Sequence, residues 1–264
     1  MPFAHVPMVH RPLLRGALAA LIALPVAPLV LSAQSVGEQA ISAIHARWKG
    51  KTYQTLTFVQ ETQFANGRSE WWYESMKIPG LLRIDIQPGD STTRLMLVRN
   101  DSIYQGRAGR PVAGRPFVHP LMVLFTDIAS VPPAETARKL TALGYDLTKS
   151  RDDMFMGKPV SVIGAGVGDS TSTQFWIEKD RQLVVRLIEK ERQPGAGVSD
   201  TRVLKHARAG QGWVETEIVF YQKGTLVQRE LYNDVKIDVP LDASIFEPRL
   251  LPLPAWVAQE KRRP

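Results

Sequence analysis

Much of the chain alternates apolar and polar residues with a period of two, the pattern of β-strands that bury one face. The segment Leu56-Thr57-Phe58-Val59-Gln60 shows this alternation, and Asn66-Gly67 follows it with residues that suit a tight turn. Similar segments recur along the chain, separated by Gly, Asp, Asn and Pro residues. The predicted strands are residues 55–62, 70–77, 81–87, 93–98, 103–104, 145–149, 159–164, 174–178, 184–190, 201–207, 212–221 and 225–237.

Three segments depart from this alternation and space their apolar residues as a helix does. Residues 36–48 form the first predicted helix, and residues 120–128 form the second. Residues 134–143 form the third, and Gly144 follows them as a residue that commonly ends helices. The sequence therefore predicts helices at the start of the domain and in its middle.

The order of these elements predicts a mainly β protein of the α+β class. Strands joined by short turns favour one strongly curved antiparallel sheet or a barrel, because a flat sheet of this size would leave long edges unprotected. We expect the helices to cover the concave, apolar face of that sheet.

The N-terminal residues indicate export. Arg11 and Arg15 precede an apolar stretch over residues 16–31, and small residues follow it up to Ala33. This arrangement is typical of a secretory signal peptide, so we predict a signal peptide over residues 1–33. The alternative is an uncleaved membrane anchor, which the short apolar run and the prolines Pro25 and Pro28 disfavour.

The sequence contains no cysteine. An exported chain without disulfides must gain its stability from its core. Such a chain also cannot carry a lipid on an N-terminal cysteine, so we expect a soluble, unacylated mature protein. Thiol chemistry is excluded.

No repeat or linker divides the rest of the chain. We predict one domain over residues 34–250 and a proline-rich, basic tail over residues 251–264. The formal net charge of the chain is +7. Its basic residues do not cluster with interleaved aromatic residues, as nucleic-acid recognition requires, and we expect no nucleic-acid partner.

One glycine-rich segment resembles a dinucleotide-binding turn. Gly164 and Gly166 have the spacing of that fingerprint, but Asp169 stands at the position of its third glycine. A predicted strand follows the segment, whereas the fingerprint requires a helix whose N-terminus faces the pyrophosphate. We therefore interpret the segment as a flexible glycine hairpin.

Other polar residues give no catalytic or metal-binding pattern. The mature chain keeps His45, His119 and His206, none with a second ligand at metal-binding spacing, and His206 is expected on a surface strand. The neighbouring acids are interpreted as solvated turn and strand positions, namely Asp152 with Asp153 and Glu189 with Glu191. We expect no cofactor, no metal and no catalysis, although a carboxylate pair that sequence spacing does not reveal stays open.

The inward-facing positions of the first strands and of the second helix form an apolar set. One interpretation is a filled core beneath the helices, and the other is an unfilled cavity that receives acyl chains. Flexible methionines suit such a cavity, and the candidates are Met76, Met96, Met122, Met154 and Met156. The full set of candidate ligand-binding residues is Leu56, Phe58, Trp72, Met76, Ile78, Leu82, Ile84, Met96, Val98, Met122 and Phe125.

Several segments, in order, resemble the LolA family of periplasmic carriers that move lipoproteins to the outer membrane. The similar segments are residues 56–62, 71–84, 97–104, 120–128 and 238–246. The resemblance implies a half-barrel with helices as a lid over an apolar cavity, in a monomeric, non-catalytic periplasmic protein without a cofactor. It also implies lipoprotein acyl chains or another lipid as ligand, and sorting components of the inner and outer membranes as partners.

The sequence departs from the family pattern at the lid. Ile78 stands where the proteobacterial carriers have an arginine that hydrogen-bonds the lid, just before the proline at position 79. Arg83 lies nearby, but the alternation places it on the other side of its strand. Leu82 also replaces a usually aromatic residue. These changes put the family's lid contact and energy-coupled release in question.

Three hypotheses follow for the function. The first is a soluble carrier of lipoprotein acyl chains or another lipid. The second is a non-catalytic envelope sensor or interaction module with the same fold, whose cavity would be filled by side chains. The third is an enzyme in which two acids converge in a polar cleft. Fold alone does not choose among them.

Overall fold

The computed structural model describes residues 33–88, 93–107, 110, 113–191 and 197–260. The described residues from Gln34 onward form one compact unit. Two expectations concern residues outside the described ranges: the signal peptide up to residue 32 and the basic end of the tail. No helix in the described ranges has the length and apolarity needed to cross a membrane.

A single curved sheet of 13 antiparallel strands dominates the structure. Its order is β6-β5-β4-β3-β2-β1-β13-β12-β11-β10-β9-β8-β7, so β6 and β7 form its edges and the sheet does not close. The strands are β1 (Thr55–Phe64), β2 (Ser69–Lys77), β3 (Leu81–Ile86), β4 (Arg94–Arg99), β5 (Ser102–Arg107), β6 (Gly114–Pro116), β7 (Ser150–Phe155), β8 (Lys158–Ile163), β9 (Gln174–Glu178), β10 (Leu183–Lys190), β11 (Val198–Ala209), β12 (Gly212–Gln222) and β13 (Thr225–Ile237).

The predicted fold class is confirmed, and one predicted strand is wrong. Residues 145–149 are not a strand; β7 begins at Ser150 instead. Tyr145 and Leu147 alternate because both are buried in the core beneath the first helix, where the N–H of Gly37 donates to the carbonyl of Leu147 at 2.9 Å. The segment therefore packs against a helix end and makes no strand pairing.

The glycine-rich segment joins two antiparallel neighbours, β8 and β9, as a hairpin. Gly164 has a φ of +104°, and a Cβ there would lie 2.4 Å from the carbonyl oxygen of Thr173. Only glycine allows this close approach of two backbones. The interpretation as a glycine hairpin is confirmed.

The helices are α1 (Val36–Trp48), α2 (Pro133–Leu143) and α3 (Ala255–Gln259). Ser35 and Glu38 form a capping box at the start of α1, and Gly144 ends α2 with a φ of +98°. The predicted helix at 120–128 is instead a π-helical turn (Met122–Thr126) followed by a 3₁₀ turn (Asp127–Ala129). We call residues 122–129 the cover segment.

Apolar side chains are buried on both faces of the sheet. On the inner face, α1, α2 and part of the cover segment pack on β9 and β10, while Met122 packs on β1 to β4. On the outer face, a 3₁₀ turn (Ala243–Phe246) and α3 cover strands β1 to β4. Leu251 and Val257 of the tail are buried there, and the indole N–H of Trp256 donates to Ser75 Oγ at 2.9 Å.

Candidate functional site

A cavity of about 460 Å³ lies on the inner face of the sheet. Its walls come from β1 to β4, from β10 to β13 and from the cover segment with the residues just before it. This volume is within the range of about 300–1,000 Å³ found for small-molecule pockets. Side chains therefore leave part of the inner face unfilled.

Direct strand pairing builds the apolar part of the cavity wall. Leu56 pairs with Met76, Met76 pairs with Leu82, and Ile84 pairs with Met96, so these side chains share one face. Nine of the predicted residues line the cavity: Leu56, Phe58, Trp72, Met76, Leu82, Ile84, Met96, Met122 and Phe125. Ile78 and Val98 lie in the same apolar cluster without lining the cavity.

Two of the methionines named as lining candidates lie elsewhere. Met154 and Met156 are 58% and 63% exposed at the hairpin between β7 and β8. They flank Phe155, which packs on Trp176 at the covered face of this edge hairpin.

The cavity wall also contains polar and acidic side chains, which were not predicted from the sequence. Glu74, Glu189, Glu215 and Glu230 line the cavity, together with the hydroxyl-bearing residues Tyr53, Ser199, Thr201, Tyr221 and Tyr232. The interpretation of Glu189 as a solvated acid is wrong, because the residue is half-buried and lines the cavity, and this burial raises its pKa to about 7. Glu74 sits between Trp72 and Met76 in the alternation, and an acid at an inward position was the available signal.

Burial controls the charge of these acids. It raises the pKa of Glu215 to about 7 and that of Glu230 to about 7. Burial and the nearby Glu230 raise the pKa of Glu74 well above its usual value. Among the described residues that line the cavity, none is a lysine or an arginine. No cation therefore offsets the acids from within the cavity wall.

Two uncharged side chains donate hydrogen bonds to Glu230. Gln228 Nε2 donates to one carboxylate oxygen at 2.6 Å, and the hydroxyl of Tyr232 donates to the other at 3.3 Å. Tyr232 also stacks on Phe58 with 4.2 Å between ring centroids. This stack joins the acidic side chains of the cavity wall to its apolar part.

On the outer face, in contrast, the acid Glu217 is paired with cations. Glu217 is two residues from Glu215 on β12, and it pairs with Arg229 at 2.7 Å and Lys205 at 2.6 Å. The hydrogen bond from Lys205 and the contact with Arg229 lower its pKa. Residues two apart on a regular strand share a face, so the irregular register between β11 and β12 at these positions places one acid against cations and the other in the cavity.

The cover segment is tied to the sheet without an arginine before Pro79. The N–H of Gly80 donates to Asp127 Oδ1 at 3.1 Å, next to the turn that contains Ile78. Burial raises the pKa of Asp127 to about 6, although this hydrogen bond opposes the rise. A hydrogen bond between a backbone N–H and a carboxylate therefore connects the cover segment to the β2–β3 turn.

Arg83 lies on the outer face, as the alternation indicated. It is fully buried and donates two hydrogen bonds of 2.8 Å to Asp85 and one of 2.9 Å to the carbonyl of Ile245. Its position there serves the packing of the C-terminal segment on the sheet.

Of the three histidines of the described ranges, His119 lines the cavity, whereas His45 and His206 do not. His45 Nδ1 lies 3.0 Å from the carbonyl of Ile128, and burial lowers the pKa of His119 to about 4. The side chain of His206 is only 3% exposed, so its expected surface setting is wrong; it faces Glu215 at 4.0 Å. Within the described ranges, no cluster of histidine and acidic residues has the arrangement of a metal site.

Comparisons with known proteins identify the fold. No family profile and no curated protein sequence matches this chain. A solved structure of a candidate outer membrane lipoprotein-sorting protein domain from Vibrio parahaemolyticus aligns with a TM-score of 0.52 at 12% identity, covering 80% of this chain and 96% of that one. This chain has a LolA-like fold.

Another LolA-like structure is more distant. A LolA superfamily protein from Nitrosomonas europaea aligns with a TM-score of 0.47 at 13% identity, covering 81% of this chain and 98% of that one. At these identities the likeness concerns the fold, and the function rests on the cavity itself.

Proposed function

We propose that this protein is a periplasmic carrier that binds the acyl chains of lipoproteins or of another lipid in the cavity. The observation that supports this proposal is the open space of about 460 Å³, which large apolar side chains line in part. Each methylene group of an acyl chain that leaves water there contributes about 0.8 kcal/mol to binding. The process is passive and needs no catalytic group.

The cover segment provides the movable part of the proposed carrier. It packs on the cavity through Met122 and Phe125, and its polar connection to the β2–β3 turn is the hydrogen bond between Gly80 and Asp127. Displacement of Met122 and Phe125 would let an acyl chain enter, while Val123, Leu124 and Ile128 hold the segment in the core. Sorting components of the inner and outer membranes would load and receive the cargo.

The interaction module and the enzyme each require different features of the cavity. A sensor or interaction module of the same fold does not need open space on the inner face, and the unfilled cavity therefore favours a carrier. An enzyme with a carboxylate pair needs one acid held ionised beside a protonated one. Glu74, Glu215 and Glu230 all have raised pKa values and no cation beside them, which disfavours that division of roles.

Native mass spectrometry of the mature protein purified from its own envelope, followed by lipid extraction, tests the carrier. We expect a bound lipid or acylated peptide. Changing both Met76→Glu and Met122→Glu should remove it, since both side chains line the cavity. The matched control is Met154→Glu with Met156→Glu, which makes the same changes at exposed positions.

Circular dichroism establishes that each variant is folded. If the charged variant does not fold, Ile84→Trp is used instead, because it fills the same cavity with an apolar side chain. A mass without ligand, together with no uptake of added lipid or acylated peptide, would overturn the carrier and favour the interaction module.

A further inference from the structure

The cavity wall has an apolar part and an acidic group. Phe58, Met76, Ile84 and Met122 form the apolar part of the wall, whereas Glu74, Glu215 and Glu230 form one acidic group, since all three raise the pKa of Tyr232. Glu74 pairs directly with Phe58 on one side and with Ile84 on the other, so the acidic group borders the apolar part. A ligand that occupies the whole cavity must therefore be amphiphilic.

Two buried side chains near the acids have oxygen atoms without hydrogen-bond partners. Glu74 is 6% exposed and makes no hydrogen bond or ion pair within the described ranges. Gln60 is 1% exposed, and its side-chain oxygen has no hydrogen-bond partner. Gln60 pairs with Trp72 on one side and Tyr232 on the other, and both of these line the cavity.

Buried polar groups without partners are costly, and native proteins rarely keep them without a purpose. Here a carboxylate of the acidic group and an amide oxygen near it, which both accept hydrogen bonds, stand on the inner face. Among the described residues of the cavity wall, no lysine or arginine supplies positive charge to these acceptors.

We propose that the cavity binds an amphiphile with an ammonium headgroup, placing its tail along the apolar part of the wall and its headgroup among Glu74, Glu215 and Glu230. This inference rests on the proposed carrier function and specifies the ligand class. An ammonium group supplies one positive charge and up to three N–H donors to a site that contains acceptors. A carboxylate or phosphate headgroup would instead meet the same acids with a like charge.

The electrostatics of the empty cavity agree with this choice. The pKa values of Glu215 and Glu230 are raised because each carboxylate loses its hydration without gaining a cation. A bound ammonium group within about 4–6 Å favours the ionised carboxylate and removes part of that cost. A neutral headgroup offers no such compensation.

Three single-chain probes with the same tail test the inference: dodecylamine, dodecanol and dodecanoate, each used below its micelle concentration. Isothermal titration calorimetry gives the Kd of each. The wild-type protein should bind dodecylamine at least tenfold more tightly than dodecanol, and dodecanoate should bind most weakly. The tail contribution is common to all three, so the ratio reports the headgroup alone.

Variants then locate the headgroup site. Glu74→Gln with Glu230→Gln should remove the preference for dodecylamine. The Kd for dodecanol should stay within about threefold, which is small beside the tenfold preference that corresponds to about 1.4 kcal/mol. The matched control is Glu217→Gln, whose carboxylate pairs with cations on the outer face and should leave the preference unchanged. If the double variant does not fold, Glu74→Gln and Glu230→Gln are each measured alone.

Each outcome separates the two proposals. Equal binding of dodecylamine and dodecanol by the wild-type protein, or an unchanged preference in the double variant, overturns the headgroup assignment and leaves the carrier function standing. Failure of all three probes to bind, in a protein that carries no lipid from its own envelope, overturns both.

Discussion

Replacing Glu215 by glutamine should stabilise the protein at neutral and alkaline pH. Glu215 is 9% exposed, and burial raises its pKa to about 7 from an ordinary value of 4.5. Glutamine has nearly the same shape and no charge to desolvate. The variant therefore removes an unfavourable charge and keeps the packing of the side chain.

The two pKa values set the magnitude and the pH range. Below about pH 4.5 the carboxyl group is protonated in both the folded and the unfolded chain, and its charge costs nothing. Between pH 4.5 and about 7 the unfolded chain loses the proton first, so stability falls as pH rises. Above that range the cost is complete and amounts to about 3 kcal/mol, since one pKa unit is worth about 1.36 kcal/mol.

Urea denaturation followed by tryptophan fluorescence measures the effect. At about pH 8 the free energy of unfolding of Glu215→Gln should exceed that of the wild type by about 3 kcal/mol, whereas near pH 4 the two should agree. In thermal unfolding, a domain of this size should gain roughly 2–4 °C for each kcal/mol.

Glu217→Gln is the control with the opposite sign. Lys205 and Arg229 stabilise the ionised form of Glu217 and lower its pKa, so the glutamine variant should lose stability above the usual pKa of a glutamate. Two like substitutions on one strand should therefore move the stability in opposite directions. A loss of stability in Glu215→Gln at about pH 8, or the same change in both variants, would refute the reasoning about the uncompensated acids.

Three further predictions concern the packing of the domain. Arg83→Met should cost about 3–5 kcal/mol in urea denaturation because it leaves the buried Asp85 unpaired, and adding Asp85→Leu should restore most of that loss; no recovery in the double variant would contradict it. Leu251→Ala should cost about 2–5 kcal/mol because the side chain is 1% exposed, while Leu250→Ala at 61% exposure should change stability by less than about 0.5 kcal/mol; equal effects would mean that the tail does not pack on the sheet. Gly37→Ala should cost about 1–3 kcal/mol, since its new Cβ would lie 2.8 Å from Leu147 Cβ and 2.9 Å from Ile163 Cγ2, whereas Gly166→Ala has open space and should be close to neutral in thermal unfolding.

The sequence predicted the local elements well where the pattern has a local cause. Alternation located the strands on both sides of Asn66-Gly67, and Gly144 marked the end of α2 at its left-handed position. It failed at residues 145–149, where an alternating pair of apolar residues packs against α1. Alternation reports burial on one face and does not tell which partner covers that face.

The alternation signalled only one acid of the cavity, Glu74, at an inward position of β2. Glu215 and Glu230 lie on the consecutive strands β12 and β13, and the pairing of β1 with both β2 and β13 brings them to the same cavity as Glu74. Glu215 and Glu230 each look like an ordinary polar position. The buried pair of Arg83 and Asp85 was hidden in the same way, because the C-terminal segment that covers it lies far along the chain.

By itself the sequence determined the mainly β class, the order of most strands and helices, and an apolar set on the inner face of the first strands. These follow from residue propensity and from alternation, which act over a few neighbouring residues. The tertiary structure decided that the inner face keeps an open cavity, that acidic side chains line part of this cavity, and that the tail covers the outer face. Those features depend on long-range strand pairing and on the space that packed side chains leave, which no local pattern specifies.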